Sequence, residues 1–238
     1  MSELRMYSDL ARWWPLLSPP SHYVEEAVFF WAILKRARPR PRSLLELGCG
    51  GGSLAANLKR HLALTLVDRS PQMLEVCRAT NPECEMAQGD MRDVRLGRSF
   101  DAVLVHDAIM YAATEPDLRA TIATAALHCR PGGTVVLAPD YTRETFVPST
   151  DHGGEEGGGR ALRYLEWTWD PDPTDTSFEA AYSFVLREAD GTTHFEGDRH
   201  HEGLFPLATW LALMRAEGLE PRTLTDPWRR TIFVGRRV

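Results

Sequence analysis

Leu44-Leu45-Glu46-Leu47-Gly48-Cys49-Gly50-Gly51-Gly52-Ser53 passes from a short apolar run into a turn containing four glycines. A run of this length suits a fully buried strand. The glycines let the backbone behind it turn left-handed and come close to a ligand, with a helix N-terminus next in line. The same alternation continues outward. Apolar runs at Ser43–Leu47, Ala63–Val67, Glu83–Gln88, Phe100–His106 and Thr134–Pro139 are separated by helix candidates at Ser53–His61, Pro71–Thr80 and Asp117–Cys129. Arg130-Pro131-Gly132-Gly133 stops the last of these. Repeated strand–helix units predict an α/β, Rossmann-like architecture with a mostly parallel sheet and helices on both of its faces.

Two segments depart from that rhythm. Before residue 40, apolar and aromatic residues at helical spacing predict two short helices broken at Ser18-Pro19-Pro20. The second has Ser21 as N-cap and a stripe of Val24, Ala27, Val28, Trp31 and Leu34. Residues 142–205 begin with the glycine-rich tip Gly153–Gly159 and continue as strand-like segments near 161–169, 177–187 and 192–202, which read as an antiparallel insertion. A helix with Leu207, Trp210, Leu211 and Met214 on one face, stopped by Gly218, and two strands at Leu219–Leu224 and Thr231–Gly235 complete the chain. The expected organisation is one domain: a helical cover at 1–39, a core at 40–141 and 206–238, and a β-rich substrate lid at 142–205.

Asp68 ends the second apolar run twenty residues after Gly48, where a carboxylate can accept from both hydroxyls of a ribose. NAD and S-adenosylmethionine both satisfy that arrangement. The third glycine position of G-x-G-x-x-G falls on Ser53, leaving G-x-G-x-G. Glu46 inside the first strand suits the cationic end of S-adenosylmethionine better than a pyrophosphate. Asp90, after the third strand in Gly89-Asp90-Met91, is placed to accept from an adenine amino group.

These residues resemble the class I S-adenosylmethionine-dependent methyltransferases. Glu46–Gly52, Asp68-Arg69-Ser70-Pro71-Gln72-Met73-Leu74, Gln88–Met91 and Leu127–Gly133 stand as its successive motifs, and Gln88–Gly97 with the tail Phe233-Val234-Gly235 is similar to the subgroup that N-methylates amino sugars and small amines. The resemblance implies a mostly parallel seven-stranded sheet, with S-adenosylmethionine as cofactor and S-adenosylhomocysteine as product. It further implies that the Gly48-Cys49-Gly50 turn wraps the methionine part, that Asp68 holds the ribose, and that Arg69 and Met73 flank the adenine. Asp90 and Met91 would read the base edge, and Tyr7 or Tyr23 would offer the cover's hydroxyl. Trp14 stands where the family often has a tyrosine and is assigned to the substrate side.

For the chemistry, His106, where the family places the residue nearest the sulfonium, and Asp107 and Tyr111 in the loop after it are the candidates. A satisfied core histidine is the rival reading for His106, and plain packing is the rival for Met73. Trp167 with Trp169, and Tyr182 with Phe184, suggest an apolar wall for the substrate or simply the core of the insertion. Histidines and carboxylates abound there, but His200 and His201 point to opposite faces of a strand, so no metal is expected. The leading expectation is N-methylation of a small amine; O-methylation of a hydroxylated metabolite and a non-catalytic binder are the alternatives.

A charged fraction of 25% with 43% hydrophobic residues describes an ordinary globular chain. The longest apolar run, Ala27–Leu34, is far short of the roughly 20 residues a membrane helix needs. The start carries Glu3, Arg5 and Asp9, unlike a signal peptide, so the cytoplasm is expected. Net charge is −6 and dispersed, and the basic cluster Lys35–Arg42 is broken by prolines. The expected partner is therefore a small-molecule substrate, not nucleic acid or membrane, with a homodimer left open. Four cysteines without metal spacing read as buried free thiols.

Overall fold

The structure, a computed structural model, describes residues 4–238. Its central sheet contains β1 (Ser43–Leu47), β2 (Ala63–Asp68), β3 (Glu85–Gln88), β4 (Phe100–Val105) and β5 (Cys129–Leu137), all parallel where they pair. Between β5 and the last strands lies a second, antiparallel sheet of β6 (Ser149–Gly153), β7 (Glu156–Gly157), β8 (Arg160–Trp169), β9 (Ser177–Arg187) and β10 (Thr193–Gly203). The chain then returns to the central sheet with β11 (Leu219–Thr225) and β12 (Thr231–Arg237). The order there is β11-β12-β5-β4-β1-β2-β3, with β12 antiparallel to both neighbours.

Strict alternation along the buried strands sorts side chains to two faces. Leu44, Leu64, Leu66, Ala102 and Leu104 pack against α2 (Val24–Leu34), α3 (Ala55–Leu58) and α4 (Pro71–Thr80), reached after the single turn α1 (Trp14–Leu17). Leu45, Leu47, Val103 and Val105 pack against α5 (Glu115–His128) and α6 (Leu207–Ala216). Local signals set the helix starts. Ser70 Oγ accepts from the Met73 amide at the head of α4, and Thr114 Oγ1 accepts from the Asp117 amide at the head of α5, so α5 begins two residues earlier than its apolar pattern suggests.

Several expectations are corrected. The helix read from Ser53 to His61 contracts to Ala55–Leu58, because the residues before it belong to the turn. The supposed stop at Arg130–Gly133 is the start of β5, whose register with β4 shifts between Phe100 and Ala102. In α2, Val24 and Val28 face solvent, whereas Glu26, Ala27, Phe30, Ile33 and Leu34 are buried, and Ser21 makes no cap. The glycine-rich tip folds back as β6 and β7.

Pairing register also splits the two aromatic pairs of the insertion. Glu166 lies opposite Tyr182 and Tyr164 opposite Phe184, so Tyr182 and Phe184 share a face with Leu162, Tyr164 and Glu166. Trp167 and Trp169 pack on each other at a 31° tilt on the other face, and Trp167 is exposed. The face bearing Leu162, Phe184 and Leu186 packs on Met6, Trp13 and Leu16, so the N-terminal cover is held between the second sheet and the central one. Arg5 reinforces this by pairing with Glu196 of β10 (2.7 Å).

Candidate active site

The turn after β1 is shaped by its neighbours. The amides of Gly48 and Cys49 both donate to the Val67 carbonyl (2.8 and 2.9 Å), and the Gly50 amide donates to Asp68 Oδ2 (2.8 Å). Buried Asn81 donates to the Gly52 carbonyl (3.0 Å). Gly48 and Gly52 have φ of +72° and +74°, and a Cβ on either would collide with Ala108, or with Asn81 and Cys77. The same holds at Gly51, where the Trp14 indole lies directly on the backbone. Among the described residues, Trp14 Nε1 is buried there without a hydrogen-bond partner, as is Oε2 of Glu46 in β1. Burial pushes the Glu46 carboxyl up to about 7 against the pull of His106.

The other predicted cofactor residues fall around this turn. Asp68 Oδ1 accepts from the Ser70 amide (2.9 Å); with Gly50 on Oδ2, each oxygen keeps one lone pair free. Burial raises its pKa, and those two amides oppose the rise. Met73 is fully buried beneath Gly50, Met91 lies beside Gly48, and Arg69 is exposed at the rim. Cys49 is buried, as are Cys77 and Cys129, and all four thiols are free, although Cys84 is only half-buried. At Asp90, Arg92 grips the carboxylate through Nε (2.9 Å) and Nη2 (2.7 Å) and its amide takes a further lone pair, leaving one lone pair on Oδ2.

His106, at the C-terminal end of β4, sits in a buried cluster of charge. Its Nε2 lies 3.0 Å from Glu26 Oε1 and 2.9 Å from Asp107 Oδ1, close to both carboxylates but aligned for a hydrogen bond with neither. Burial alone would lower its pKa, yet the two acids outweigh it and hold the imidazole well above the ordinary histidine value. Arg230 completes the cluster, pairing with Glu26, with Asp226 (2.7 Å) and, more distantly, with Asp107 and Asp140 (both 3.5 Å). Glu26, His106 and Asp107 bring three ligand-type atoms within 4.8 Å of one another. Arg230 and the imidazolium already supply positive charge there, which disfavours a further cation.

Tyr111 and Tyr7 meet on the other side of the turn. Their hydroxyls are 2.6 Å apart, and Tyr7 packs on Trp14 at 5.6 Å between ring centroids. The Tyr7 carbonyl accepts from Ser70 Oγ, which ties the cover to α4. Tyr23 spends its hydroxyl on Ser18 (2.7 Å) and its ring edge on His106. Trp167 and Trp169, expected to line the substrate, lie on the face turned away. On the opposite face a row runs across the second sheet, Asp151–Glu166–Tyr182–Asp198, exposed at Asp151 and half-buried from Glu166 to Asp198, with buried His200 and Glu202 beside it.

Comparison with known proteins decides the family. The chain matches the methyltransferase domain family over residues 44–133. It is 32% identical over 219 residues to dTDP-3-amino-3,4,6-trideoxy-alpha-D-glucopyranose N,N-dimethyltransferase of Streptomyces venezuelae, covering 90% of each chain. This chain belongs to the S-adenosylmethionine-dependent methyltransferases. Among solved structures, the methyltransferase superposes on DesVI of Streptomyces venezuelae with a TM-score of 0.84 at 28% identity, covering 93% of this chain and 94% of that one. The sugar N-methyltransferase KedS8 of Streptoalloteichus gives 0.82 at 31% identity, covering 90% and 87%.

Glu26 and Arg230 escaped the sequence reading. An acid four residues before Phe30 on the buried face of α2 was the available signal for the first. For Arg230, replacement by Leu is expected to cost about 3–5 kcal/mol, because it strands Glu26 as a buried, half-paired charge. Urea unfolding measures this, and a loss below about 1 kcal/mol would show that the cluster does not depend on the guanidinium.

Proposed function

We propose that this methyltransferase transfers a methyl group to the nitrogen of a small amine, of the amino-sugar class named for its relatives. The row of acids, Asp151, Glu166 and Asp198, with Glu202 beside them, carries the reading. A protonated amine is a cation, and an acidic lining concentrates it while discriminating against neutral hydroxyl analogues. Relatives over nearly the whole chain support the same class: besides the venezuelae enzyme, one of Streptomyces fradiae, 32% identical, is a dTDP-3-amino-3,6-dideoxy-alpha-D-glucopyranose N,N-dimethyltransferase. Four free thiols suit a reducing cytoplasm.

The residues around the turn fit the cofactor for a chemical reason. An α-amino acid presents one ammonium and one carboxylate, and the turn is flanked by one unpartnered carboxyl, Glu46, and one unpartnered N–H, Trp14. In this reading Glu46 takes the ammonium and Trp14 the carboxylate, so Trp14 serves the cofactor side. Asp68 offers its two free lone pairs to the ribose, and Met73, Met91 and Arg69 border the adenine. When bound, S-adenosylmethionine supplies an electrophilic methyl group on a sulfonium whose thioether leaves as a neutral molecule. The chain's work is then to hold the amine in line and to remove its proton beforehand. Orientation supplies most of the acceleration, with effective molarities on the order of 10⁵ M. Asp107 and Tyr111 border the acceptor side.

A glycoside bearing an amine and its counterpart bearing a hydroxyl at the same carbon separate the readings: methyl is expected on nitrogen, and methyl found only on oxygen contradicts the proposal. Glu46 makes cofactor affinity depend on pH. With a carboxyl titrating near 7, the acid is neutral below that value and ionised above it, so a cation binds more tightly as pH rises. Calorimetry is expected to show the S-adenosylmethionine Kd falling about eightfold between about pH 6 and 7.5, and Glu46→Gln to abolish the slope. A flat wild-type profile would remove Glu46 from the contact.

A further inference from the structure

Four side chains form an unbroken hydrogen-bonded line from the glycine turn into the second sheet. Tyr7 Oη is 2.6 Å from Tyr111 Oη, which is 2.8 Å from Nδ1 of His200, whose Nε2 is 3.0 Å from Asp198 Oδ2. His200 is completely buried, and Asp198 is itself fixed by the Met6 amide (2.7 Å). The acid end sets the polarity of the line. An ionised Asp198 can only accept, so Nε2 carries the proton and Nδ1 of the neutral ring is an acceptor. Tyr111 then donates to Nδ1 and Tyr7 donates to Tyr111, so both hydroxyl hydrogens point toward His200 and the Nε2 hydrogen toward Asp198. The Tyr7 oxygen is left with a lone pair at the end next to Trp14 and the cofactor turn.

We propose that this line is a proton relay and that His200 is the terminal acceptor for the proton an ammonium substrate must lose before methylation. The proposal rests on the amine reading above and moves the base away from His106. The substrate N–H gives its proton to Tyr7 Oη, Tyr7 passes its own to Tyr111, and Tyr111 passes its own to Nδ1. The products are a neutral amine and an imidazolium beside Asp198. The amine lone pair then bonds to the methyl carbon, the carbon–sulfur bond breaks with its electrons on sulfur, and after the product leaves the proton returns from His200 through Tyr111 and Tyr7 to water in the vacated site.

The surroundings suit the task. Burial pushes both tyrosines well above their usual range, so they conduct protons without standing ionised. Burial works against the His200 imidazolium, but Asp198 and Glu202 (3.8 Å) outweigh it and raise the ring to about 8, so the neutral, accepting ring is the minor form at neutral pH and becomes the major one above about pH 8. From β9, Tyr182 faces His200 at 4.9 Å between rings and donates to Glu166 of β8 (2.8 Å), which completes the charged groups around it.

The test compares two glycosides: an ordinary amino sugar, and its analogue fluorinated next to the amine, which is already unprotonated at neutral pH. In His200→Gln and in Tyr111→Phe, which keeps the packing of the ring, kcat on the ordinary amine is expected to fall about 10²-fold at neutral pH. On the fluorinated amine the loss is expected to be at least about tenfold smaller than on the ordinary amine. The wild-type limb of kcat near pH 8 on the ordinary amine should vanish in both variants. S-adenosylmethionine affinity close to wild type confirms that each variant is folded. Equal losses on both amines, or no loss on the ordinary one, overturn the relay. Failure of the wild type to methylate either amine overturns the functional reading and the relay with it.

Discussion

Close approach to a side-chain-free backbone governs how the molecule is assembled. Between Gly48 and Gly52 the chain is crowded by Ala108 from the loop after β4, by Asn81 and Cys77 from α4, and by the Trp14 indole from the cover. Any Cβ at Gly48, Gly51 or Gly52 would push one of these away. Because Trp14 sits on Gly51, Tyr7 is brought over the turn and its carbonyl reaches Ser70 at the head of α4. Because Met6, Trp13 and Leu16 then present their apolar side, the second sheet has a surface to close on. Cofactor turn, cover and insertion are thus one packed stack, and the acids of the insertion face the same space as the strand ends.

Two charged networks border that space and differ in what they can do. The one around His106 closes on itself: Glu26, held down to about 2, pairs with Arg230, and His106 lies between the carboxylates of Glu26 and Asp107. Its contribution is to bind α2, the end of β4 and the β11–β12 hairpin together. The turn before β12 pays in strain for reaching the cluster, with Arg229 at φ of +71°. The network around His200 has a single direction and ends at a hydroxyl on the cofactor side, which is the arrangement a transferable proton requires.

Most of the central sheet was legible because its signals are local. Apolar runs of strand length, Ser70-Pro71 before α4 and Gly218 after α6 each specify their own neighbourhood, and apart from the start of β5, five residues early, those boundaries agree with the structure to within a residue or two. The cover was not legible in the same way. Val24 and Val28 continue a helical stripe but face solvent, while Glu26 is drawn inward by an arginine 204 positions away. His200 could be assigned to a face by alternation, yet its partner Tyr111 lies 89 positions away, and nothing in the sequence brings them together. Trp167 and Trp169 were read as sharing a wall with Tyr182 and Phe184 because strand alternation gives faces only within a strand; the pairing register that puts them on opposite sides is a tertiary fact.

The central claim is that the acceptor amine lies between the glycine turn and the acidic face of the second sheet, in contact with the cover's tyrosine. A crystal structure with S-adenosylhomocysteine and an amino-sugar glycoside tests it directly. The account predicts the nitrogen within hydrogen-bond reach of Tyr7 Oη, beneath the Asp151–Glu166–Tyr182–Asp198 row. A nitrogen bound against His106, or a sugar seated on the Trp167–Trp169 face, would contradict it.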